Sequence, residues 1–257
     1  MQININKLND IAREAGRGIM DIYESDTIEV EYKDDKSPLT QADLASHTII
    51  KDHLTALYPE IPIISEEGKN IPYEQRKGWD CFWLVDPLDG TKEFVKRNGE
   101  FTVNIALVEN NKPILGVIFA PALDVLYFAD KVGGAFKQMK GSQPERMTTR
   151  SDTENLVAIQ SRSHSSSAEE EFFSKFSISN FISKGSSLKF CLVAESTADI
   201  YFRSGPTWEW DTAAGQAIVT IAGGKVMIGN RELAYNKPTL KNDDGFVCLG
   251  NADLLNA

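Results

Sequence analysis

An apolar segment that ends in two aspartates constrains this chain more than any other feature. The apolar residues Trp83-Leu84-Val85 run directly into the turn sequence Asp86-Pro87-Leu88-Asp89-Gly90. Aspartates at this spacing around a proline form a rigid turn that can aim both carboxylates at one point. Hard divalent cations prefer such oxygen ligands. The segment therefore predicts a metal site at the end of a buried strand.

Composition and charge exclude several classes of protein. The 257 residues suffice for one domain or two closely packed halves, and an apolar fraction of 42% is typical of a globular protein. The formal charge of -10 argues against a nucleic-acid polymer as partner, because such binders need a basic surface to neutralise phosphates. The three cysteines have no CxxC spacing, which favours reduced thiols over a disulfide or a cysteine metal site.

Two segments of the sequence bear on where in the cell the protein is found. Residues 1–20 lack the uninterrupted apolar core of a signal peptide. The longest apolar run, residues 114–123, is interrupted by Pro121 and is far too short to span a membrane. We therefore expect a cytoplasmic protein without integral membrane association. Peripheral association with the inner face of the cell membrane and the oligomeric state both stay open.

Apolar periodicity predicts a mixture of helices and strands. An amphipathic helix is predicted at 5–24, and Thr40 and Asp43 form a capping box before a helix that runs to about Leu57. Hairpins make the predicted sheet at least partly antiparallel. Further helices are predicted at 165–176, 186–194 and 212–222. Strands are predicted at 27–33, 61–65, 81–85, 101–109, 114–119, 125–129, 156–160, 200–202, 225–228 and 246–249.

Four carboxylates stand at the predicted ends of secondary-structure elements. They belong to Glu66, Asp86, Asp89 and Asp211, the last placed just before the predicted helix at 212–222. Gathered closely, they would repel one another unless cations neutralised them, and two divalent ions would balance the charge. Magnesium is favoured because all the offered ligands are oxygens. A phosphate ester is the natural substrate of such a two-metal site.

The turn continues into a segment with further catalytic chemistry. A helix that begins at Thr91 would direct its first amides toward a bound phosphate, next to Gly90. The Thr91 hydroxyl can orient the attacking water, and the Asp43 carboxylate can accept its proton through that hydroxyl. We therefore predict a proton-accepting pair beside the metal ligands.

Each of these residues also has a structural interpretation. Asp211 before a helix is an ordinary N-cap, Thr40 and Asp43 an ordinary capping box, and Glu66 part of an ordinary polar loop. The Asp-Pro-Leu-Asp-Gly turn is the more specific signal because its acids terminate an apolar strand. The combination, rather than any single motif, favours catalysis.

Three segments in this order resemble a known family. They are similar to the signature motifs of the inositol monophosphatase superfamily, which consists of magnesium-dependent, lithium-sensitive phosphatases. The three segments are Ser65-Glu66-Glu67-Gly68, the run 83–91 and Trp210-Asp211-Thr212-Ala213-Ala214-Gly215. The bacterial 3'(2'),5'-bisphosphate nucleotidases of the CysQ type are the members that the chain resembles most, in segments 91–94, 96–107, 161–164 and 185–191. The resemblance implies an α+β fold, a layered αβαβα sandwich of the inositol monophosphatase/fructose-1,6-bisphosphatase type. It also implies a single domain at 1–257, with a metal lobe at about 1–145 and a substrate lobe at about 146–257.

The same resemblance implies roles for individual residues. Thr91 and Asp43 match the pair that activates water, and Lys189 has the chemistry to hold a second phosphate. The implied magnesium ligands are Glu66, Asp86, the Leu88 carbonyl, Asp89 and Asp211. Glu66 also belongs to the implied catalytic residues, with Thr91 and Asp43. The implied substrate contacts are Glu66, Leu88, Asp89, Gly90, Thr91, Ser161, His164, Gly185, Lys189 and Asp211. Helix-entry and surface roles are the competing interpretations of His164 and Lys189.

These observations lead to one functional prediction and two alternatives. We predict magnesium-dependent hydrolysis of the 3'-phosphate of 3'-phosphoadenosine 5'-phosphate, giving AMP and phosphate. The alternatives are an inositol or sugar phosphatase and, in another class, a non-catalytic sensor of phosphorylated ligands. Trp208 departs from the sequence expected beside the third motif, and its ring could pack in the core or line the substrate pocket.

Overall fold

The computed structural model describes residues 3–25, 30–32, 38–161 and 167–256. The helices are α1 (Ile5–Tyr23), α2 (Gln41–Leu57), α3 (Tyr73–Arg76), α4 (Thr91–Val95), α5 (Ser167–Phe173), α6 (Leu188–Ala194) and α7 (Glu209–Ala222), followed by a 3-10 helix at Ala252–Asn256. The first strands are β1 (Val30–Tyr32), β2 (Pro38–Thr40), β3 (Ile63–Ser65), β4 (Cys81–Asp89), β5 (Thr102–Glu109), β6 (Lys112–Ala120), β7 (Val125–Asp130), β8 (Gly134–Met139) and β9 (Glu145–Arg146). The remaining strands are β10 (Leu156–Ser161), β11 (Ile178–Lys184), β12 (Ile200–Arg203), β13 (Thr207–Trp208), β14 (Lys225–Ile228), β15 (Arg231–Glu232), β16 (Lys241–Asn242) and β17 (Phe246–Leu249).

Two large sheets lie between layers of helices. The first has the strand order β3-β4-β5-β6-β7-β8-β9, with β3 parallel to β4 and the later pairs antiparallel. The second has the order β11-β10-β12-β17-β14-β15 and combines parallel and antiparallel pairs. The antiparallel pairing predicted from the hairpins is confirmed.

The outer helical layer, α1 and α2, covers one face of the first sheet. In α1 the residues Leu8, Ile11, Ala15 and Ile19 recur at three- and four-residue spacing and are buried, which makes one apolar stripe. The Asn4 side chain accepts hydrogen bonds from the first amides of the helix and fixes its start. Burial of this stripe against the sheet forms one of the hydrophobic cores.

The inner layer, α6 and α7, packs between the two sheets. α7 contacts β5 and β6 of the first sheet and also β14 of the second. Gly116 of β6 allows this close approach, because a Cβ at that position would collide with the carbonyl oxygen of Ala214. The core here includes Phe82 and Ile159, from either side of the predicted lobe boundary. On the far face of the second sheet α5 completes five layers, the predicted α+β αβαβα sandwich.

Several predicted boundaries were wrong for identifiable physical reasons. Helix α7 begins at Glu209, so Asp211 lies inside its first turn and not before it. Helix α6 begins at Leu188, because Ser186 has a left-handed φ of 46° that is incompatible with a helix. The strands β8 and β11 were missed, since both mix polar and apolar residues without a clean alternation.

Two predicted elements extend beyond the residues that the structure describes. The predicted strand at 27–33 is seen at Val30–Tyr32, and the rest lies outside the described residues. The predicted helix at 165–176 is seen as α5, with its first two positions likewise outside. In the part of the chain that the structure describes, no helix has the length and apolar character needed to cross a membrane.

Candidate active site

The turn at the end of β4 is shaped by its own sequence. The apolar residues before it are buried, and the pairing with β5 is interrupted between Asp86 and Asp89. Pro87 lies at this interruption and has no amide hydrogen to donate to a ladder. The Leu88 amide donates to Asp86 Oδ1 at 3.1 Å, which closes a local turn. Proline and aspartate chemistry therefore ends the ladder and sets the direction of the two carboxylates.

Three carboxylates from separate elements converge beside this turn. Glu66 follows β3, which runs parallel to β4, so the two strands end at the same edge of the sheet. Asp211 approaches from the first turn of α7. One oxygen from each of Glu66, Asp86 and Asp211 lies within 4.8 Å of the other two. The structure thus brings three of the predicted metal ligands into one cluster.

Burial and mutual repulsion make this cluster unfavourable without a cation. Burial raises the pKa of Asp86 well above its usual range, and the nearby acids Glu66 and Asp89 raise it further. Burial also raises the pKa of Asp211 well above its usual range, with Asp89 and Glu66 adding to the effect. A donor set made only of oxygens, from carboxylates crowded together, fits a hard divalent cation such as magnesium. Glu66, Asp86 and Asp211 could hold it.

Two further predicted ligands line the same cavity. Asp89 and Leu88 lie along this cavity of about 280 Å³ together with the three clustered acids. The Asp89 carboxylate lies outside the cluster of three, and its Oδ2 accepts a hydrogen bond from Ser187 Oγ at 2.6 Å. The Leu88 carbonyl lies 3.4 Å from Thr91 Oγ1.

The two carboxylate oxygens of Asp43 face different partners. Its Oδ2 accepts hydrogen bonds from the Thr40 amide at 2.8 Å and the Thr40 hydroxyl at 2.6 Å, which is the predicted capping box. Its Oδ1 faces Thr91 Oγ1 at 3.4 Å. Catalytic hydrogen bonds are often this long before substrate binds. The capping and catalytic interpretations of Asp43 are therefore compatible, because each uses a different oxygen.

Gly90 makes the connection between the turn and α4. Its φ of 90° lies in the left-handed region, and a Cβ there would lie 3.2 Å from the Glu100 carbonyl oxygen. Thr91 is the first residue of α4, as predicted. Only glycine reaches this conformation without strain, so it places Thr91 next to the acids.

A second cavity, of about 220 Å³, continues from the first. The two share five lining residues, so together they form one cleft: Asp89, Gly90, Lys92, Glu93 and Asp211. We call the part around Glu66, Asp86, Asp89 and Asp211 the acidic end. The predicted contacts Gly185 and Lys189 line the other part.

The second cavity differs from the acidic end because the basic side chains of Lys189 and Arg203 line it. Lys189 Nζ donates to the Ser186 carbonyl at 2.6 Å and lies over the Tyr201 ring at 5.4 Å. Burial lowers the pKa of Lys189 below its usual value. Arg203, at the end of β12, lines the same cavity and makes no ion pair with the described residues. We call the region around Lys189 and Arg203 the basic end.

Sequence reasoning missed Arg203 and Ser187. Arg203 carried a weak signal, a basic residue directly after a short apolar strand. Ser187 lies inside segment 185–191, which carries the family resemblance, but nothing in the sequence pointed to its partner Asp89, 98 positions earlier in the chain. Of the predicted contacts, Ser161 ends β10, and His164 lies outside the described residues.

Trp208 lies at the border of the acidic end. It lines the cavity of the metal turn, is 38% exposed, and stacks on Trp210 with ring centroids 5.0 Å apart. Its backbone amide donates to Asp211 Oδ2 at 2.7 Å, which helps to hold that carboxylate in place. Of the two predicted locations, the structure places the ring beside the pocket and not in the core.

Comparisons with known proteins agree with this geometry. The model of the inositol monophosphatase family matches residues 4–255. The 3'(2'),5'-bisphosphate nucleotidase CysQ of Salmonella typhimurium is 48% identical over 223 residues, which cover 86% of this chain and 89% of that protein. The crystal structure of CysQ from Bacteroides thetaiotaomicron, described as a bacterial member of the inositol monophosphatase family, is 42% identical with a TM-score of 0.82 and covers 95% of this chain and 96% of the other.

A solved inositol monophosphatase is more distant in sequence. The protein from Zymomonas mobilis is 25% identical with a TM-score of 0.77, covering 98% of this chain and 94% of that one. The layered fold is therefore shared by nucleotidases and inositol phosphatases alike. Together with the family match over nearly the whole sequence, these likenesses show that the chain belongs to the inositol monophosphatase family.

Proposed function

We propose that the protein hydrolyses the 3'-phosphate of 3'-phosphoadenosine 5'-phosphate, with magnesium, to give AMP and phosphate. The observation that carries the proposal is one continuous cleft with a carboxylate cluster at its acidic end and the cations Lys189 and Arg203 at its basic end. The relatives named as bisphosphate nucleotidases support the same substrate class.

The metal is assigned to the acidic end. Glu66, Asp86, Asp89, Asp211 and the Leu88 carbonyl would hold two magnesium ions. Bound there, the ions would neutralise the phosphoryl oxygens, activate water and stabilise the leaving oxygen.

Thr91 and Asp43 prepare the attacking water. The Thr91 hydroxyl donates toward Asp43 Oδ1, 3.4 Å away, and can then accept a hydrogen bond from water. As the water oxygen bonds to phosphorus and the P–O3' bond breaks, one proton of the water passes through the threonine hydroxyl to Asp43. The leaving O3' takes a proton from solvent water, and Asp43 later returns its proton to solvent. Asp43 stays in position because its other oxygen is held by Thr40.

The substrate spans the cleft. The 3'-phosphate lies at the acidic end near the amides of Gly90 and Thr91, and the 5'-phosphate is bound by Lys189 and Arg203 at the basic end. Ser161, His164 and Gly185 complete the proposed nucleotide contacts, and Glu66 and Asp211 would contact the substrate at the acidic end. The cations explain how a protein of charge -10 accepts a substrate with two phosphates.

The lobes and the location follow from the same proposal. Residues 1–145 would carry most of the metal site and residues 146–257 the substrate contacts, within a single phosphatase domain. We place the enzyme in the cytoplasm. An inositol or sugar phosphatase remains the alternative function, since the acidic end alone would serve any phosphate monoester.

The direct test identifies which phosphate leaves. The purified protein is incubated with 3'-phosphoadenosine 5'-phosphate and magnesium, and the products are separated by chromatography. We expect AMP and an equal amount of phosphate. Release of adenosine 3'-phosphate instead would contradict the assigned orientation, and binding without any turnover would favour the non-catalytic sensor.

A further inference from the structure

Asp89 is held by a residue from a distant part of the chain. Its Oδ2 accepts a hydrogen bond of 2.6 Å from Ser187 Oγ. Ser187 is 2% exposed and belongs to the segment between β11 and α6. A hydrogen bond to an ionised acceptor is stronger than one between neutral groups, especially where water is excluded. One oxygen of this carboxylate is therefore committed to the serine.

Two further buried residues fix the direction of that hydrogen bond. Asn104 Nδ2 donates to Ser187 Oγ at 2.8 Å, and Thr102 Oγ1 donates to Asn104 Oδ1 at 3.0 Å. Thr102 and Asn104 are 0% and 1% exposed. Because the serine oxygen already accepts from the amide, its single proton is free to donate to the Asp89 carboxylate. The Asp211 carbonyl, 3.0 Å away, is the longer and uncharged alternative.

These hydrogen bonds form a relay, Thr102 to Asn104 to Ser187, and its first two residues belong to one strand. Both lie on β5, where Asn104 pairs with Asp86 and Thr102 pairs with Asp89 across the ladder. The relay therefore starts on the strand that pairs with the metal turn and returns to the turn through Ser187. Lys189 lies two residues beyond Ser187, so one segment contacts both ends of the cleft.

We infer that Ser187 is a positioning residue for the metal site. The relay Thr102-Asn104-Ser187 holds Asp89 with Oδ2 toward the serine and leaves Oδ1 available for the cation. The inference rests on the proposed metal role of Asp89. Outer residues that orient ligands in this way typically change metal affinity about 10–100-fold when removed.

The test measures magnesium binding, not only turnover. For Ser187→Ala we expect the dissociation constant of Mg²⁺, from isothermal titration calorimetry, to rise about tenfold or more. Ser187→Cys keeps the buried volume but weakens the donor, so it serves if the alanine variant folds poorly, and its constant should also rise. In an Asp89→Asn background, Ser187→Ala should add less than about twofold, because the two changes remove the same interaction.

Tyr127→Phe is the matched control. The Tyr127 hydroxyl donates to Glu195 Oε2 at 3.0 Å, a hydroxyl to carboxylate bond outside the cleft, so its loss should leave Mg²⁺ affinity unchanged. A folded Ser187→Ala protein with wild-type affinity would overturn the inference, as would an equal loss in the Asp89→Asn background. If the wild-type protein binds Mg²⁺ but does not cleave the nucleotide, the proposed function is contradicted. The calorimetric titration with Mg²⁺ still decides the role of Ser187 in that case.

Discussion

The acidic and basic ends of the cleft are built in different ways. At the acidic end, three of the five proposed ligands come from one turn, and hydrogen bonds such as Leu88 amide to Asp86 and Ser187 hydroxyl to Asp89 hold its carboxylates. At the basic end, Lys189 comes from α6 and Arg203 from β12, with no ion pair between described residues fixing the arginine. The first arrangement can serve any phosphate monoester. We infer that chemistry and substrate choice are separable in this molecule.

The largest expected effect comes from damage to the acidic end. Asp86→Asn removes a central carboxylate of the cluster, and loss of several kcal/mol of metal-assisted stabilisation predicts a fall in kcat/KM of about 10³-fold. Since the acidic end is proposed to hold the scissile phosphate of either substrate, the loss should be similar for the bisphosphate nucleotide and inositol 1-phosphate. The exposed Asp80→Asn is the control and should retain activity. Substantial turnover by a folded Asp86→Asn protein would exclude this residue as a metal ligand.

Removal of the water-orienting hydroxyl should have the next largest effect. Thr91→Val keeps the side-chain shape but cannot relay a proton to Asp43, so kcat should fall about 10²-fold with little change in KM. Thr91→Ser retains the hydroxyl and should retain most of the activity. Steady-state kinetics on both substrates measure the effect. A change confined to KM would assign Thr91 to binding instead.

Changes at the basic end should separate the two substrates. Lys189→Ala or Arg203→Ala should raise KM for the bisphosphate nucleotide about tenfold, the cost of one hydrogen-bonded charge pair. Inositol 1-phosphate lacks the second phosphate, so its KM should change less than about twofold. Lys225→Ala, an exposed lysine on β14, is the control. Equal losses on both substrates would remove the assigned role of these cations.

The smallest expected effect is thermodynamic. The pKa values of Asp86 and Asp211 are raised in the folded protein, mainly by burial. Without metal, these acids therefore destabilise the fold increasingly as pH rises above about 3.9, the value in an unfolded chain. Magnesium neutralises the carboxylates and displaces their protons, so the gain in Tm on adding it should grow from pH 5.5 to pH 8.

Thermal unfolding with and without magnesium measures this gain. At a free concentration of about 100 times the dissociation constant, the rise in Tm at pH 8 should be roughly 5–10 °C. Asp86→Asn should show a much smaller gain. A gain in Tm that shrinks as pH rises would contradict the proposed neutralisation of the cluster.

The two ends also differ in what their sequence reveals. Much of the acidic end was predictable because Glu66 and Asp86 stand at the ends of apolar strands, and the Asp86 to Asp89 turn is local in sequence. The αβαβα layering followed from the family resemblance, since periodicity alone gives elements and not their arrangement. The exact start of α7 was not predictable, because it depends on the Asp211 carboxylate binding the Trp208 amide.

The basic end was only half predicted, because the family resemblance implied Lys189 whereas Arg203 needed the structure. Arg203 and Lys189 are joined only by the packing of α6 against β12, which no local pattern encodes. The relay from Thr102 to Ser187 also escapes sequence reasoning, because it crosses from the first sheet to the segment before α6. Interactions between distant segments depend on tertiary packing, and that is the information a single sequence lacks.

The claim that the acidic end carries the chemistry and the basic end the substrate choice is tested most directly by one ratio, measured on the wild-type protein. The ratio compares kcat/KM for 3'-phosphoadenosine 5'-phosphate with that for inositol 1-phosphate, both in saturating magnesium. If Lys189 and Arg203 bind the second phosphate, the nucleotide should be preferred by about a hundredfold, the product of two charge-assisted contacts. A ratio near or below one would contradict the proposed substrate and assign the cleft to inositol or sugar phosphates.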